Sequence, residues 1–179
     1  MEFREMTERL AAHRKLKLLG ELDEERQRTL CSAIELLGLE ATSRIDLLID
    51  SEGGDVRYSK RLADAIRFSA APVRGIVTGE ACSGAFRVLQ ACHARAAYPN
   101  AQLMFHHGHV EIYLDRISDP LGFLTSALEE SRQFLKEIAT KSGKRYQIVQ
   151  EWARKAKRFS AKEALELHFI DEILEPPTR

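Results

Sequence analysis

Three short stretches of this chain carry residue types that together can run acyl-transfer chemistry. In Gly79-Glu80-Ala81-Cys82-Ser83-Gly84-Ala85, a Ser stands among small residues where a strand-like pattern gives way to a helical one. A hydroxyl at the head of a helix sits beside backbone N–H groups that stabilise negative charge on an adjacent acyl oxygen. The same placement is that of an ordinary N-cap, so Ser83 alone leaves nucleophile and cap both open. In Ser51-Glu52-Gly53-Gly54, paired glycines follow an apolar run. They let the backbone approach a ligand closely and offer its own N–H, or they make a plain turn. The third stretch is Leu103-Met104-Phe105-His106-His107-Gly108-His109, in which a strand-ending His106 can act as a base toward a nearby Ser. Three His in four residues also raise a metal site. Strand alternation, however, turns His107 away from His106 and leaves His109 out of register with both. No carboxylate or Cys completes a ligand set. No metal and no cofactor are therefore expected, and His107 and His109 read as solvated or loop residues. Cys82 has no base of its own in its motif and reads as a small packing residue.

The elements that must position these residues alternate. Lys15 to Leu22 has the pattern of a strand, and Asp23-Glu24-Glu25 opens a helix with Leu30, Ile34 and Leu37 on one face. Arg44 to Asp50 is an apolar run of strand length, as for a strand buried on both faces. After the Ser51–Asp55 turn comes a helix carrying Leu62, Ala63 and Ile66. Val73 to Thr78 forms a strand that stops at Gly79, and a short helix runs from about Ser83 to Cys92. Strands are expected at Ala96–Tyr98 and Gln102–His106, which points to βαβ units and a mostly parallel sheet. Asp119-Pro120 supplies an N-cap and a Pro at the first helical position, and apolar residues then recur until Gly143. That long helix carries apolar positions beyond one stripe, Phe123 and Phe134 among them, and surplus apolar surface of this kind marks a partner-covered face. A further helix spans about Arg145–Ala156, Ser160-Ala161-Lys162-Glu163 is a capping box, and Phe169–Leu174 closes as a strand.

Composition narrows the function classes. The 179 residues suit one domain, with 44% apolar and 30% charged residues. Lys plus Arg and Asp plus Glu number 27 each, so no bulk field draws nucleic acid or an anionic membrane. Three scattered Cys, at positions 31, 82 and 92, suit a reducing compartment. The charged start at Met1 has no signal-peptide pattern, and no run is long enough to span a membrane, so a cytoplasmic location is expected.

The order of the motifs is more specific than any one of them. IDLLIDSEGGDV, PVRGIVTGEACSGA, YPNAQLMFHH and FSAKEALELHFIDEI stand in the order and at the spacing of the proteolytic subunit of the Clp protease, and the chain resembles that family from about Lys15 to Leu174. The resemblance implies a crotonase-like α/β core over about residues 15–175 within a single domain of residues 1–179. It implies a protruding "handle" helix at about residues 119–143, through which rings of subunits stack as a homo-oligomer. It also implies a serine endopeptidase acting on peptides or unfolded protein, with Ser83 as nucleophile and His106 as general base. The backbone N–H groups of Gly54 and Gly84 match the family's oxyanion hole, and an AAA+ unfoldase is the family's implied partner.

Departures from the family pattern are as informative. The family places an Asp four residues before the Ser of the final capping box; here that position is Ala156, inside the basic run Arg154-Lys155-Ala156-Lys157-Arg158. Loss of an orienting carboxylate costs on the order of 10⁴ in turnover. Asp115, Asp119 and Glu151 are the candidate substitutes, each of a type more often found on surfaces. The Pro usual before the paired glycines is Glu52, and the Gly-rich stretch usual after the His is reduced to Gly108. Val110 to Leu114 still alternates in a way that suits strand addition of a peptide. Met1 to Arg14 reads as one charged helix rather than a flexible loop, which weighs against docking to an unfoldase. Two alternatives follow: a weakly active or inactive regulatory subunit of the same family, and an acyl-CoA enzyme on the related crotonase fold.

Overall fold

The computed structural model describes residues 3–108 and 118–176, and its contacts divide the chain into two compact units. One contains the residues up to Phe105 together with those from Arg158 on; the other runs from His106 to Lys157.

In the first unit, α1 (Phe3–Ala11), β1 (Lys15–Leu22), α2 (Glu24–Glu40), β2 (Ile45–Gly54), α3 (Val56–Arg67), β3 (Val73–Cys82), α4 (Gly84–Ala91), β4 (Ala94–Ala97) and β5 (Gln102–Met104) follow in order. Numbering past the two helices of the second unit, β6 (Arg158–Ser160), α7 (Ala161–Glu166) and β7 (Glu172–Ile173) complete it. The sheet runs β1-β2-β3-β4-β7, with β5 beside β3 and β6 beside β5. Every pairing is parallel except β5 with β6. This is the βαβ architecture that alternating patterns predict.

Several boundaries differ from the sequence expectation, for physical reasons. β2 does not stop at Asp50 but continues through Gly54, and β3 continues past Gly79 to Cys82. Both extensions carry register shifts, between Leu19 and Glu21 against β2 and between Ile49 and Ser51 against β3. Bulges re-aim a strand without ending it, and no local pattern announces them. β2 is also not equally buried on both faces: Ile45, Leu47 and Ile49 are sealed while Asp46 and Leu48 are half-buried and Asp50 is exposed. β4 begins at Ala94 rather than Ala96, β5 ends at Met104 rather than His106, and β7 is shorter than its apolar run. The three-residue strand β6, which starts at the last residue of the basic run, was not legible in sequence because only its antiparallel partner β5 makes it a strand.

The core beside α4 is aromatic. Phe86, Phe105, Phe159 and Phe169 are fully buried, with ring centroids 5.1–6.0 Å apart. Each is worth roughly 1.5–3 kcal/mol of burial. Together they hold α4, whose head bears Ser83, against the segments that carry β5 and β6.

In the second unit, α5 (Pro120–Ser142) begins and ends where its caps predict. Asp119 accepts the Gly122 N–H at 2.9 Å, and Gly143 ends the helix at φ 63°. Leu121, Phe123, Leu124 and Leu128 are exposed, whereas Phe134, expected to add to the surplus, is buried with Leu135 and Ile138. Within α5, the exposed large apolar side chains are thus confined to its first half. α6 (Tyr146–Arg154) closes with a Schellman cap: Ala156 donates to Ala153 O at 3.2 Å and Lys157 to Trp152 O at 2.9 Å. No helix among the described residues is long and apolar enough to cross a membrane.

Candidate active site

Ser83 stands between β3 and α4 with φ 51° and ψ −116°. A side chain at positive φ outside the small left-handed basin is a true outlier that the surrounding structure must hold in place. The restraints are visible. Ser83 N–H donates to Met104 O at 2.8 Å, and Ser83 O accepts from Arg87 N–H at 3.2 Å. The Ser83 side chain makes no capping hydrogen bond, although it occupies the N-cap position. Of the two uses that its position leaves open in sequence, the cap is the one not taken up. A Ser on a sharp strand-to-helix turn has its hydroxyl presented rather than spent on the helix.

The paired glycines meet this turn directly. A Cβ on Gly53, whose φ is 95°, would lie 2.5 Å from Cys82 O, 2.6 Å from Gly84 N and 3.0 Å from Ser83 Cβ. A Cβ on Gly54 would run into the Leu22 carbonyl of β1, and one on Gly84 would lie 3.1 Å from Ser59 Cβ and 3.4 Å from Gly54 N. Only glycines allow these three backbones to close together. The fold therefore brings Ser83, Gly84, Gly53 and Gly54, 29 or more residues apart in sequence across the two loops, into one cluster. Gly84 N–H lies in the first turn of α4, where helix amides have no intrahelical acceptor.

Asp50 and Ser51 support the cluster, and neither stood out in sequence. Asp50 Oδ1 accepts the Glu80 N–H at 3.0 Å, and a Cβ on Gly79 would strike the same carboxylate. Ser51 is one of the few buried polar residues. The only available signal was its place between a buried strand and the glycine pair, which turns share.

Cys82 is settled by its surroundings. Its Sγ–H donates to Glu80 Oε2 at 3.3 Å, and Arg158 pairs with the same oxygen at 3.0 Å. Burial, with the Glu80 carboxylate beside it, pushes the thiol up to about 12. At neutral pH it is no nucleophile. The Arg158 guanidinium and the Cys82 thiol hold Glu80 below its ordinary value in turn.

In the second unit, His106 is half-buried and His107 exposed. His106 Nδ1 lies 2.6 Å from His107 O. A carbonyl only accepts, so in this contact Nδ1 is the donor. The three candidate carboxylates fare differently. Asp119 is engaged as the N-cap of α5. Glu151 pairs with Arg154 at 2.8 Å and Lys155 at 3.0 Å, and these cations hold it down at about 2. Asp115 lies outside the described residues, as do His109 and the Val110–Leu114 segment. The basic run around Ala156 is largely neutralised: Arg154 and Lys155 on Glu151, Arg158 on Glu80, and Lys157 over the Trp152 ring at 5.4 Å. Among the described residues no group of three His, Cys, Asp or Glu can hold a metal.

Residues 1–177 match the family model described as Clp protease. Proteolytic subunit 2 of the ATP-dependent Clp protease from Nocardia farcinica is 30% identical over 171 residues, 93% of this chain and 83% of that protein. The corresponding subunit from Thermobifida fusca is 29% identical over 175 residues, 96% and 86% of the two. Among solved structures, a mutant ClpP1 from Listeria monocytogenes superposes with a TM-score of 0.81 at 22% identity, covering 96% of each chain. This last is a likeness of fold.

Proposed function

The chain belongs to the Clp protease family, and on that premise we propose that it is a serine peptidase that cleaves peptides or unfolded protein through an acyl-enzyme on Ser83. The observation that carries the proposal is the Ser83 turn: a strained, non-capping Ser at the head of α4, packed against Gly53. His106 is the general base, taking the Ser83 proton at Nε2 and returning it to the leaving amine. The N–H groups of Gly54 and Gly84 receive the oxyanion of the tetrahedral intermediate. The family's orienting Asp is replaced by Ala156, and the His107 carbonyl takes over the Nδ1 proton. A neutral carbonyl keeps the ring in its tautomer but stabilises the imidazolium less than a carboxylate does, so turnover is reduced rather than lost. Assembly into rings through the exposed half of α5 completes the proposal, since Leu121, Phe123, Leu124 and Leu128 are exposed.

The test is reaction with a fluorophosphonate probe, read by mass spectrometry. Selective modification of Ser83 that disappears in Ser83→Ala and His106→Ala is the expected result. A second reading, a non-catalytic regulatory subunit, is favoured by Ala156 itself. It prevails if the assembled oligomer does not label. Retention of coenzyme A on the purified chain would instead point to the acyl-CoA alternative.

A further inference from the structure

Ser51 is 1% exposed, and its hydroxyl both donates and accepts. It donates to Gly20 O at 2.5 Å and accepts the Gly53 N–H at 3.1 Å. Both partners lie where the strand ladder is irregular: Gly20, at φ 64°, sits in the β1–β2 register shift, and Gly53, at φ 95°, lies just past it. Backbone groups that lose a ladder partner in a buried place must find another or be costly. One hydroxyl, with one donor and two acceptor lone pairs, satisfies both.

The consequence reaches the Ser83 turn. Gly53 is the residue against which Cys82 O, Ser83 Cβ and Gly84 N pack. A rotation of the Gly53 peptide would drive it into that turn and re-aim the next amide, that of Gly54. We infer that Ser51 is the positioning residue of the oxyanion pocket: its hydroxyl pins the Gly53 N–H, and so sets the direction of the Gly54 N–H toward the developing oxyanion. The inference rests on the peptidase reading above for its catalytic consequence, but the pin itself does not. Because the hydroxyl does not titrate near neutrality, it acts on the acylation rate and leaves the shape of the pH profile alone.

The experiment compares the full-length wild type with Ser51→Ala and Ser51→Thr. Two quantities are read: the rate constant for fluorophosphonate labelling of Ser83, and amide hydrogen exchange at Gly53 beside that at Leu47 and Ile76. Loss of one oxyanion donor costs about 10²–10³, so misdirecting one should slow labelling in Ser51→Ala by about 10–100-fold. Probe saturation should stay unchanged, and Ser51→Thr should return most of the rate. Gly53 exchange should quicken at least about tenfold, with Leu47 and Ile76 unmoved. Wild-type labelling and exchange in Ser51→Ala would overturn the inference. So would uniform acceleration across the sheet with no rescue by Thr, which is the mark of a merely stabilising residue. A wild type that does not label overturns the peptidase reading instead, and selective exchange at Gly53 then decides the pin by itself.

Discussion

The proposed nucleophile, Ser83, and the proposed base, His106, come from regions built on different principles. Around Ser83 the chain is packed backbone to backbone: Gly53 and Gly54 close to distances no side chain tolerates, Gly84 packs nearly as tightly, and Ser51 and Asp50 bind the backbone that aims the two loops. Around His106 the ring is held by its neighbour's carbonyl, while Asp119 serves a helix cap and Glu151 serves two cations one turn away. The first region is over-determined, so strain can be stored there. In the second, two of the candidate carboxylates among the described residues, Asp119 and Glu151, are engaged locally.

The largest test of that contrast is Gly53→Ala. With a Cβ 2.5 Å from Cys82 O and φ at 95°, the loop must rebuild. Labelling of Ser83 should fall below detection, and thermal unfolding should show a loss of about 3 kcal/mol or more. A variant that labels normally would mean the loops are not coupled. The opposite change belongs to the second region: Ala156→Asp should raise kcat by at least about tenfold, toward the ~10⁴ an orienting carboxylate is worth, with KM little changed. In ¹⁵N NMR of the unmodified chain, His106 should be protonated at Nδ1; an Nε2–H tautomer would remove the His107 carbonyl from its assigned role.

Smaller effects sharpen the comparison. Ala156 sits at φ 46° in its Schellman cap, a conformation that favours Gly, so Ala156→Gly should raise stability in denaturant titrations by about 0.4–1 kcal/mol. It should leave turnover where it was, which separates the position's backbone duty from its missing carboxylate. The Glu80–Arg158 pair is partly exposed and should contribute only a few tenths of a kcal/mol. Glu80 is held below its ordinary value, so this stability is fully present above about pH 4.3 and is lost as pH falls through the lowered folded value. Glu80→Gln should abolish that acid-side slope. Cys82, pushed up to about 12 chiefly by burial, should stay unmodified by iodoacetamide at pH 8 in the wild type and in Glu80→Gln alike; rapid alkylation would contradict its burial.

Much of this was legible in advance, and the division has a physical basis. Asp119, Pro120 and Gly143 delimit α5, and Ser160 with Glu163 forms the capping box, because caps are hydrogen bonds among residues three or four apart. The positions of Ser83 and the paired glycines, and the order of the motifs, were likewise readable from types and spacing. What the tertiary structure alone decided is long-range. That Ser83 does not cap, that Gly53 packs on its turn, that Ser51 joins Gly20 to Gly53 across the β1–β2 register shift, and that Glu80 and Arg158 meet 78 residues apart all depend on which strands lie side by side. Ala156 shows both sides. The sequence by itself determined that the family's carboxylate is absent there; only the fold revealed that the residue closes α6 in a left-handed turn, because φ is set by the hydrogen bonds around it and not by its own small side chain.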